Sequence, residues 1–371
     1  MPHYDILLGK CQEVLRSFPD DCIDAIVTDP PYELGFMGKA WDRSGAAFNA
    51  EIWQQCQRVL KPGGYLLAFG GSRTYHRMAC AVEDAGFEIR DQIMWVYGSG
   101  FPKSRNLDGD WDGWGSALKP AHEPIVVARK PFPGTLDQNV SLYGTGALNI
   151  NGCRVPHSET LRVDNGIISC RGDPPAPRGR EGEASANRRY TNSGASNFSA
   201  LPGPRGGNPA GRWPANLIHD GSDDVISLFP PNVGVRPHTR CGQVGDAKSA
   251  ARFFYCAKTS RADRNEGCET LSMSPLYRSS GSANPGSFQS TGTDKTAQNN
   301  HPTVKPTVLM RYLCRLVTPP GGWVLDPLMG SGSTGKACML ENFRFTGIDS
   351  DEEAVRIATA RIRFALERQR R

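Results

Sequence analysis

The sequence predicts an α/β fold, a mostly parallel sheet laid down in two separate blocks of the chain. Three observations carry this reading. Short apolar runs alternate with helical patterns over residues 1–130, as parallel βα units do. The same alternation returns over residues 301–371, after a long stretch of different composition. Between these signals, "IVTDPPY" ends an apolar run on an acid and two prolines. Proline cannot extend a central strand, so Thr28 and Asp29 should lie at the carboxyl edge of the sheet, where open α/β sheets bind ligands.

The elements follow in order. "YDILLG" and "IDAIVT" are strand candidates, and "EIWQQCQRVLKPGG" is an amphipathic helix that Pro62, Gly63 and Gly64 are expected to stop. "GGYLLAFGG" is a third strand. "RTYHRMACAVEDAGFEIRDQIMWVYG" reads as a helix, a break at Gly86 and a strand, and "EPIVVARK" is one more strand between Pro124 and Pro131. In the last block Pro306 fits the first turn of a helix that places Leu309, Leu313 and Leu316 on one face. Then come a strand, a Gly-rich turn, a helix, a strand and a closing helix, with Asp351, Glu352 and Glu353 at its start and arginines at its end, as the macrodipole prefers.

Residues 131–300 differ. Gly, Pro, Ser, Asn and Arg dominate, and the stretch around "RGDPPAPRGREGEASANRRY" cannot form a core by itself. One reading is a loosely ordered insertion; the other is a DNA-facing module carrying Arg171, Arg178, Arg180, Arg188, Arg189, Arg205 and Arg212. Within it, "RWPANLIHD" and "ARFFYCAK" have the pattern of strands or docking segments.

Composition narrows the class. The 371 residues hold no run of ~18 apolar residues, so a membrane span is not expected. The start, "MPHYDILLGK", lacks a signal-peptide pattern. Eleven cysteines without a CxxC pair suit a reducing cytoplasm. His238, Cys241, Cys256 and Cys268 match no familiar zinc spacing, and no metal site is expected. A net charge of +5 permits a polyanionic partner without requiring one.

Two motifs carry chemistry. Gly330 to Lys336 fits G-x-x-x-x-G-K, but Ala337 stands where a nucleotide-hydrolysing loop needs Ser or Thr for magnesium. Asp349, at the end of the next strand and ~20 residues beyond the turn, suits ribose hydroxyls, which favours an adenosine-bearing cofactor. The second motif is Asp29-Pro30-Pro31-Tyr32: a carboxylate and an aromatic on a stiffened turn, arranged to hold something planar that carries hydrogen-bond donors. As bare structure it would be a proline-rich strand cap.

D-P-P-Y after one strand and D-P-x-x-G-S-G-x-T after another resemble the amino-methyltransferases that use S-adenosylmethionine to methylate exocyclic amines in DNA, and "HPTVKP" at 301–306 matches the segment preceding their Gly-rich motif. The motif order resembles the β group of adenine-N6 and cytosine-N4 enzymes, and "RFFYCAK" and "LYGTGALNINGCR" have the look of phage and prophage members. Protein-glutamine methyltransferases have the reverse order and N-P-P-Y.

The resemblance implies a class I methyltransferase-like, seven-stranded, permuted sheet, with "EPIVVARK" as the antiparallel strand. Residues 1–130 would form its catalytic half, 131–300 an inserted target-recognition region and 301–371 the cofactor half. It implies that Asp29, Pro30, Pro31 and Tyr32 grip an extruded base, with Phe36, Met37 and Trp41 lining the pocket or packing in the core. It places Asp326, Pro327, Gly330, Ser331, Gly332, Ser333 and Thr334 around the methionine end of S-adenosylmethionine. Asp349 would take the ribose, and Thr303 and Lys305 would lie near the amino-acid carboxylate. Lys10 stands where such chains commonly have an acid. The expected substrate is double-stranded DNA, with adenine N6 preferred over cytosine N4; a DNA-binding protein without turnover is the rival. A homodimer and a cognate restriction endonuclease are the further partners to look for, in a bacterial or phage-infected cell.

Overall fold

A computed structural model describes residues 2–35, 40–100, 102, 104–156, 211–231, 249–257, 262–275 and 296–370. Phe36, Met37, His238, Cys241 and six of the arginines singled out above (all but Arg212) lie outside the described residues, as does the side chain of Trp41.

The first block supplies β1 (Tyr4–Leu8), α1 (Cys11–Leu15), β2 (Ile23–Thr28), α2 (Ala50–Val59), β3 (Leu60–Phe69), α3 (Tyr75–Asp84), β4 (Glu88–Val96) and β5 (His122–Arg129). After α4 (Leu136–Tyr143), the middle stretch contributes β6 (Leu217–His219), α5 (Asp223–Ile226), β7 (Tyr255–Cys256) and a two-stranded ladder of β8 (Ser274–Pro275) and β9 (Thr296–Ala297). The last block supplies α6 (Thr307–Val317), β10 (Trp323–Asp326), α7 (Ser333–Leu340), β11 (Arg344–Asp349) and α8 (Glu352–Arg370).

The main sheet runs β1-β11-β10-β2-β3-β5-β4-β6-β7. β5 is antiparallel to both its neighbours and every other adjacent pair is parallel, as expected for "EPIVVARK". Among the described residues, nine strands replace the expected seven because β6 and β7, from "RWPANLIHD" and "ARFFYCAK", add to the rim beyond β4. Ahead of β7, Ala250–Phe253 form a 3-10 turn.

All six residues of β2 are buried, the near-continuous apolar reading of a central parallel strand covered on both faces. One face belongs to the buried cluster that includes Leu309, Leu313, Phe345 and Ile362, the other to the cluster that includes Ile52, Trp53, Leu66 and Val126. Each such side chain contributes roughly 1.5–3 kcal/mol of burial. The Trp53 indole, fully buried, donates to the Ala47 carbonyl at 3.0 Å, so its polar edge is satisfied.

One expectation fails locally. α2 stops at Val59, before Pro62-Gly63-Gly64, and these three residues lie inside β3, beside a register shift against β2. That is where proline is tolerated in a sheet. The freed Pro62 carbonyl accepts from Asn139 Nδ2 at 2.9 Å and Thr145 Oγ1 at 2.6 Å, so the following segment closes over the irregularity.

The chain divides into two compact units, Met1–Cys153 with Pro214–Arg371, and Arg154–Trp213. The second is described at its two ends, where Val155 and Arg212 form an antiparallel bridge and the Arg154 guanidinium lies 5.5 Å from the Trp213 ring centroid. Among the described residues no helix is long and apolar enough to cross a membrane, and no cluster of His, Cys, Asp and Glu is placed to hold a metal ion.

Candidate active site

β10 and β2 lie side by side, and the chain leaves them in opposite directions across the sheet, β10 toward β11 and β2 toward β3. Their carboxyl ends form the topological switch point, where such sheets bind ligands. Asp326 ends β10 and Asp29 follows β2 directly. Thr334, in the first turn of α7, joins the two: its hydroxyl donates to Asp326 Oδ2 at 2.7 Å and lies 3.3 Å from the Val27 carbonyl oxygen. The Gly-rich turn is thereby held against the strand that carries D-P-P-Y.

Within that turn, Gly330 has φ +52° and Gly332 φ +73°, conformations that favour glycine. A Cβ on Gly330 would come within 3.0 Å of the His301 ring. The Gly330 N–H donates to Asp349 Oδ2 at 2.7 Å, so the acid ending β11 is drawn onto the turn. Burial raises the Asp349 pKa above the usual carboxylate range. Asp326 is deeper, and burial pushes its pKa up to about 7. Ser331 and Ser333 are buried and both meet Arg361, whose Nη1 donates to the Ser331 carbonyl at 2.7 Å and lies 3.1 Å from each hydroxyl. Pro327 continues β10 into the turn.

Lys336 does not face a phosphate-binding turn. Its ammonium is buried between Asp263 at 2.6 Å and Glu266 at 2.7 Å. Asp263 also accepts from the Thr307 N–H at 2.6 Å and from its hydroxyl. The lysine of G-x-x-x-x-G-K therefore fastens α7 to residues 262–268, as adenosine binding allows and a nucleotide-hydrolysing loop does not.

At the other motif, Asp29 Oδ2 accepts from Lys305 Nζ at 2.6 Å. Asp29 Oδ1 is buried and accepts no hydrogen bond from any described residue. Burial raises the Asp29 pKa and the Lys305 charge opposes that rise. Burial also works against the Lys305 ammonium, but the carboxylates of Asp29 and Glu123 outweigh it and hold its pKa above the usual lysine range. The Tyr32 hydroxyl donates to Glu123 Oε2 at 2.7 Å, and the Tyr32 carbonyl accepts from Thr74 Oγ1 at 2.7 Å, which fixes the turn from both sides.

The segment 301–306 spans both motifs. His301 lies against Gly330, while Lys305 reaches Asp29 and passes within 5.3 Å of the Tyr32 ring centroid. Burial, helped by the charges of Arg361, Arg264 and Lys305, lowers the His301 pKa to about 3, so this imidazole stays neutral. The Thr303 N–H donates to His301 Nδ1 at 3.4 Å. Lys10, outside this constellation, makes an exposed pair with Glu13 at 3.8 Å. Sequence reasoning missed Glu123 and Asp263. A charged residue opening the apolar strand "EPIVVARK" is the signal that could have found the first.

A family model described as DNA methylase, for N6 and N4 methyltransferases, matches residues 23–360, nearly the whole chain and both motifs. The chain belongs to this DNA methylase family. Two relatives are type II methyltransferases of Haemophilus influenzae. M.HinfI is 28% identical over 109 residues, covering 24% of this chain and 30% of its own; M.HindIII, of strain ATCC 51907 / DSM 11121 / KW20 / Rd, is 32% identical over 129 residues, covering 29% and 42%. The matched stretches thus span less than half the length of either. Among solved structures, the chain is similar to the PvuII DNA methyltransferase, cytosine-N4-specific, with TM-score 0.47, 12% identity and coverage of 97% and 86%. The M1.HpyAVI–SAM complex gives 0.43, 16%, and 97% and 99%. The family's methyl donor is S-adenosylmethionine, and the methylase has the residues to fit it: two glycines with positive φ, and an acid drawn onto their turn.

Proposed function

We propose that this methylase transfers a methyl group from S-adenosylmethionine to adenine N6 in double-stranded DNA. The observation that carries the reading is Asp29 Oδ1, a buried acceptor without a partner among the described residues, on a proline-stiffened turn beside Tyr32 and across the switch point from the Gly-rich turn.

An exocyclic amine is a poor nucleophile because its lone pair is conjugated into the ring. Two acceptors on its two N–H bonds let the nitrogen pyramidalise and present that lone pair. Asp29 Oδ1 supplies one acceptor and a backbone carbonyl near Pro30 the other, with direction set by Pro30 and Pro31. Tyr32 supplies the face on which the base stacks. The base must leave the duplex to reach this site, at a cost of a few kcal/mol. S-adenosylmethionine supplies an electrophilic methyl group when bound and would leave as the thioether, while Asp29 stands at the N–H whose proton the methylated amine gives up. Asp326, Pro327 and Gly330 to Thr334 would hold its methionine end and Asp349 its ribose, with Thr303 and Lys305 nearby.

The same acceptors suit cytosine N4. Aspartate in D-P-P-Y leans toward adenine, and the motif order follows the β group, whose phage and prophage members the middle segments resemble. Residues 131–300 would read the target, between a catalytic half at 1–130 and a cofactor half at 301–371. A cognate restriction endonuclease, a second copy of the chain and a cytoplasmic site of action belong to the same reading.

The test is nucleoside mass spectrometry on unmethylated plasmid incubated with S-adenosylmethionine and the protein, with Asp29→Ala in parallel. N6-methyladenine that vanishes in the variant is the expected result. N4-methylcytosine overturns the choice of base. No methylated nucleoside, from folded protein that binds the cofactor, overturns the activity in favour of a DNA-binding role.

A further inference from the structure

Glu123 lies in neither motif. It stands near the start of β5, ahead of Ile125–Ala128, all buried and apolar. A carboxylate in that place is costly unless it is paired. Its pairing is specific: Oε2 accepts the Tyr32 hydroxyl at 2.7 Å and lies 3.4 Å from Lys305 Nζ. Lys305 is thus shared between two carboxylates, at 2.6 Å from Asp29 and 3.4 Å from Glu123. One ammonium between two carboxylates leaves a net negative charge in a partly buried cluster.

We propose that Glu123 is a positioning residue for methyl transfer, acting through Tyr32 and Lys305, which rests on the exocyclic-amine reading above. Through Tyr32 it fixes the ring on which the base stacks. Through Lys305 it draws charge away from Asp29, so that Asp29 keeps its strength as acceptor for the amine. Among the described residues, the other titratable groups facing the cluster are Tyr97, whose phenol is pushed up by burial and by Glu123, His301, which feels Lys305, and Asp326, which feels Asp29.

The signs follow from charge. The Glu123 carboxylate raises the pKa of both Asp29 and Lys305. Glu123→Gln removes that charge with almost no change of shape, so both groups titrate at lower pH. The expected result is a kcat ~10- to 100-fold lower, with both limbs of the pH–kcat profile moved toward acid. Affinity for S-adenosylmethionine without DNA, measured by calorimetry, stays near wild type. Tyr32→Phe, which keeps the ring, should reproduce part of the loss, and the double variant should lose less than the product of the two. An unmoved profile, or cofactor affinity that falls in step with kcat, overturns the proposal. If Glu123→Gln does not fold, Tyr32→Phe and Glu123→Asp decide it: wild-type kcat in both overturns it, and a loss in both with a displaced profile in Glu123→Asp supports it. Failure of the amine reading is distinguishable, because it appears as no methylated nucleoside with the wild-type protein.

Discussion

Thr334 donates its hydroxyl to Asp326 at 2.7 Å and reaches the Val27 carbonyl oxygen at 3.3 Å, so one side chain in the first turn of α7 holds the ends of β10 and β2 together. The two motifs are separated by nearly the whole chain, and this contact sets their spacing. Thr334→Val keeps the shape and removes the donor, leaving a buried Asp326 oxygen unsatisfied. A loss of roughly 1–3 kcal/mol in stability is expected, with weaker cofactor binding, and Thr334→Ser should restore most of both. Denaturant unfolding and calorimetry check this.

Asp326 also predicts a pH dependence. Its folded pKa is raised to about 7 by burial, so the folded state holds its proton more tightly than the unfolded chain does. Stability from this group is therefore full below pH ~4, the unfolded carboxyl value, and is lost as pH rises toward 7. Asp326→Asn keeps an acceptor oxygen without the charge. Its melting temperature, compared with wild type between pH 5 and pH 8, should gain most at the alkaline end.

Lys336 should behave as a structural cation. Lys336→Met leaves the Asp263 and Glu266 carboxylates facing each other without it, a break of a buried pair that costs ~3–5 kcal/mol. Thermal melts should show the loss. The wild-type protein should hydrolyse no ATP with magnesium and DNA present, and phosphate release above background would contradict this account of the turn.

Gly330→Ala tests the cradle. At φ +52° a side chain costs ~1–2 kcal/mol, and the new methyl group would press on His301. Cofactor affinity should fall at least severalfold, with DNA binding in a gel-shift assay little changed.

Asp29→Asn separates charge from shape. The amide keeps one acceptor oxygen but removes the nearer of the two carboxylates that Lys305 serves, leaving Glu123. We expect kcat to fall at least ~10-fold, about 1.4 kcal/mol, with cofactor affinity retained, measured by single-turnover methylation and calorimetry.

The strand ends were legible in the sequence because their signals are local. Pro30 and Pro31 stop β2, Gly330 and Gly332 turn the chain, and "EPIVVARK" announces β5. Pairings across the chain were not. Glu123 meets Tyr32 across 91 positions and Lys305 meets Asp29 across 276, and no periodicity in either segment encodes such a meeting. Lys336 shows the same limit: Ala337 already argues against a phosphate loop, but only the lysine's partner 73 positions away, Asp263, reveals what it does. The end of α2 was misplaced because glycine and proline mark an irregular strand start as readily as a helix stop.

The rim of the sheet bears on how such enzymes can be recombined. β6 pairs with Met94–Val96 and β7 pairs with β6, so two segments of the compositionally distinct stretch complete the edge beyond β4. A chimera that swapped residues 131–300 for a foreign specificity segment would strip that edge and expose a row of unpaired amides and carbonyls, an invitation to aggregate. Splice points that leave Leu217–His219 and Tyr255–Cys256 with the host would keep β4 covered. On the proposed reading, in which residues 131–300 read the target, the part to transplant is the sequence between and around those two strands.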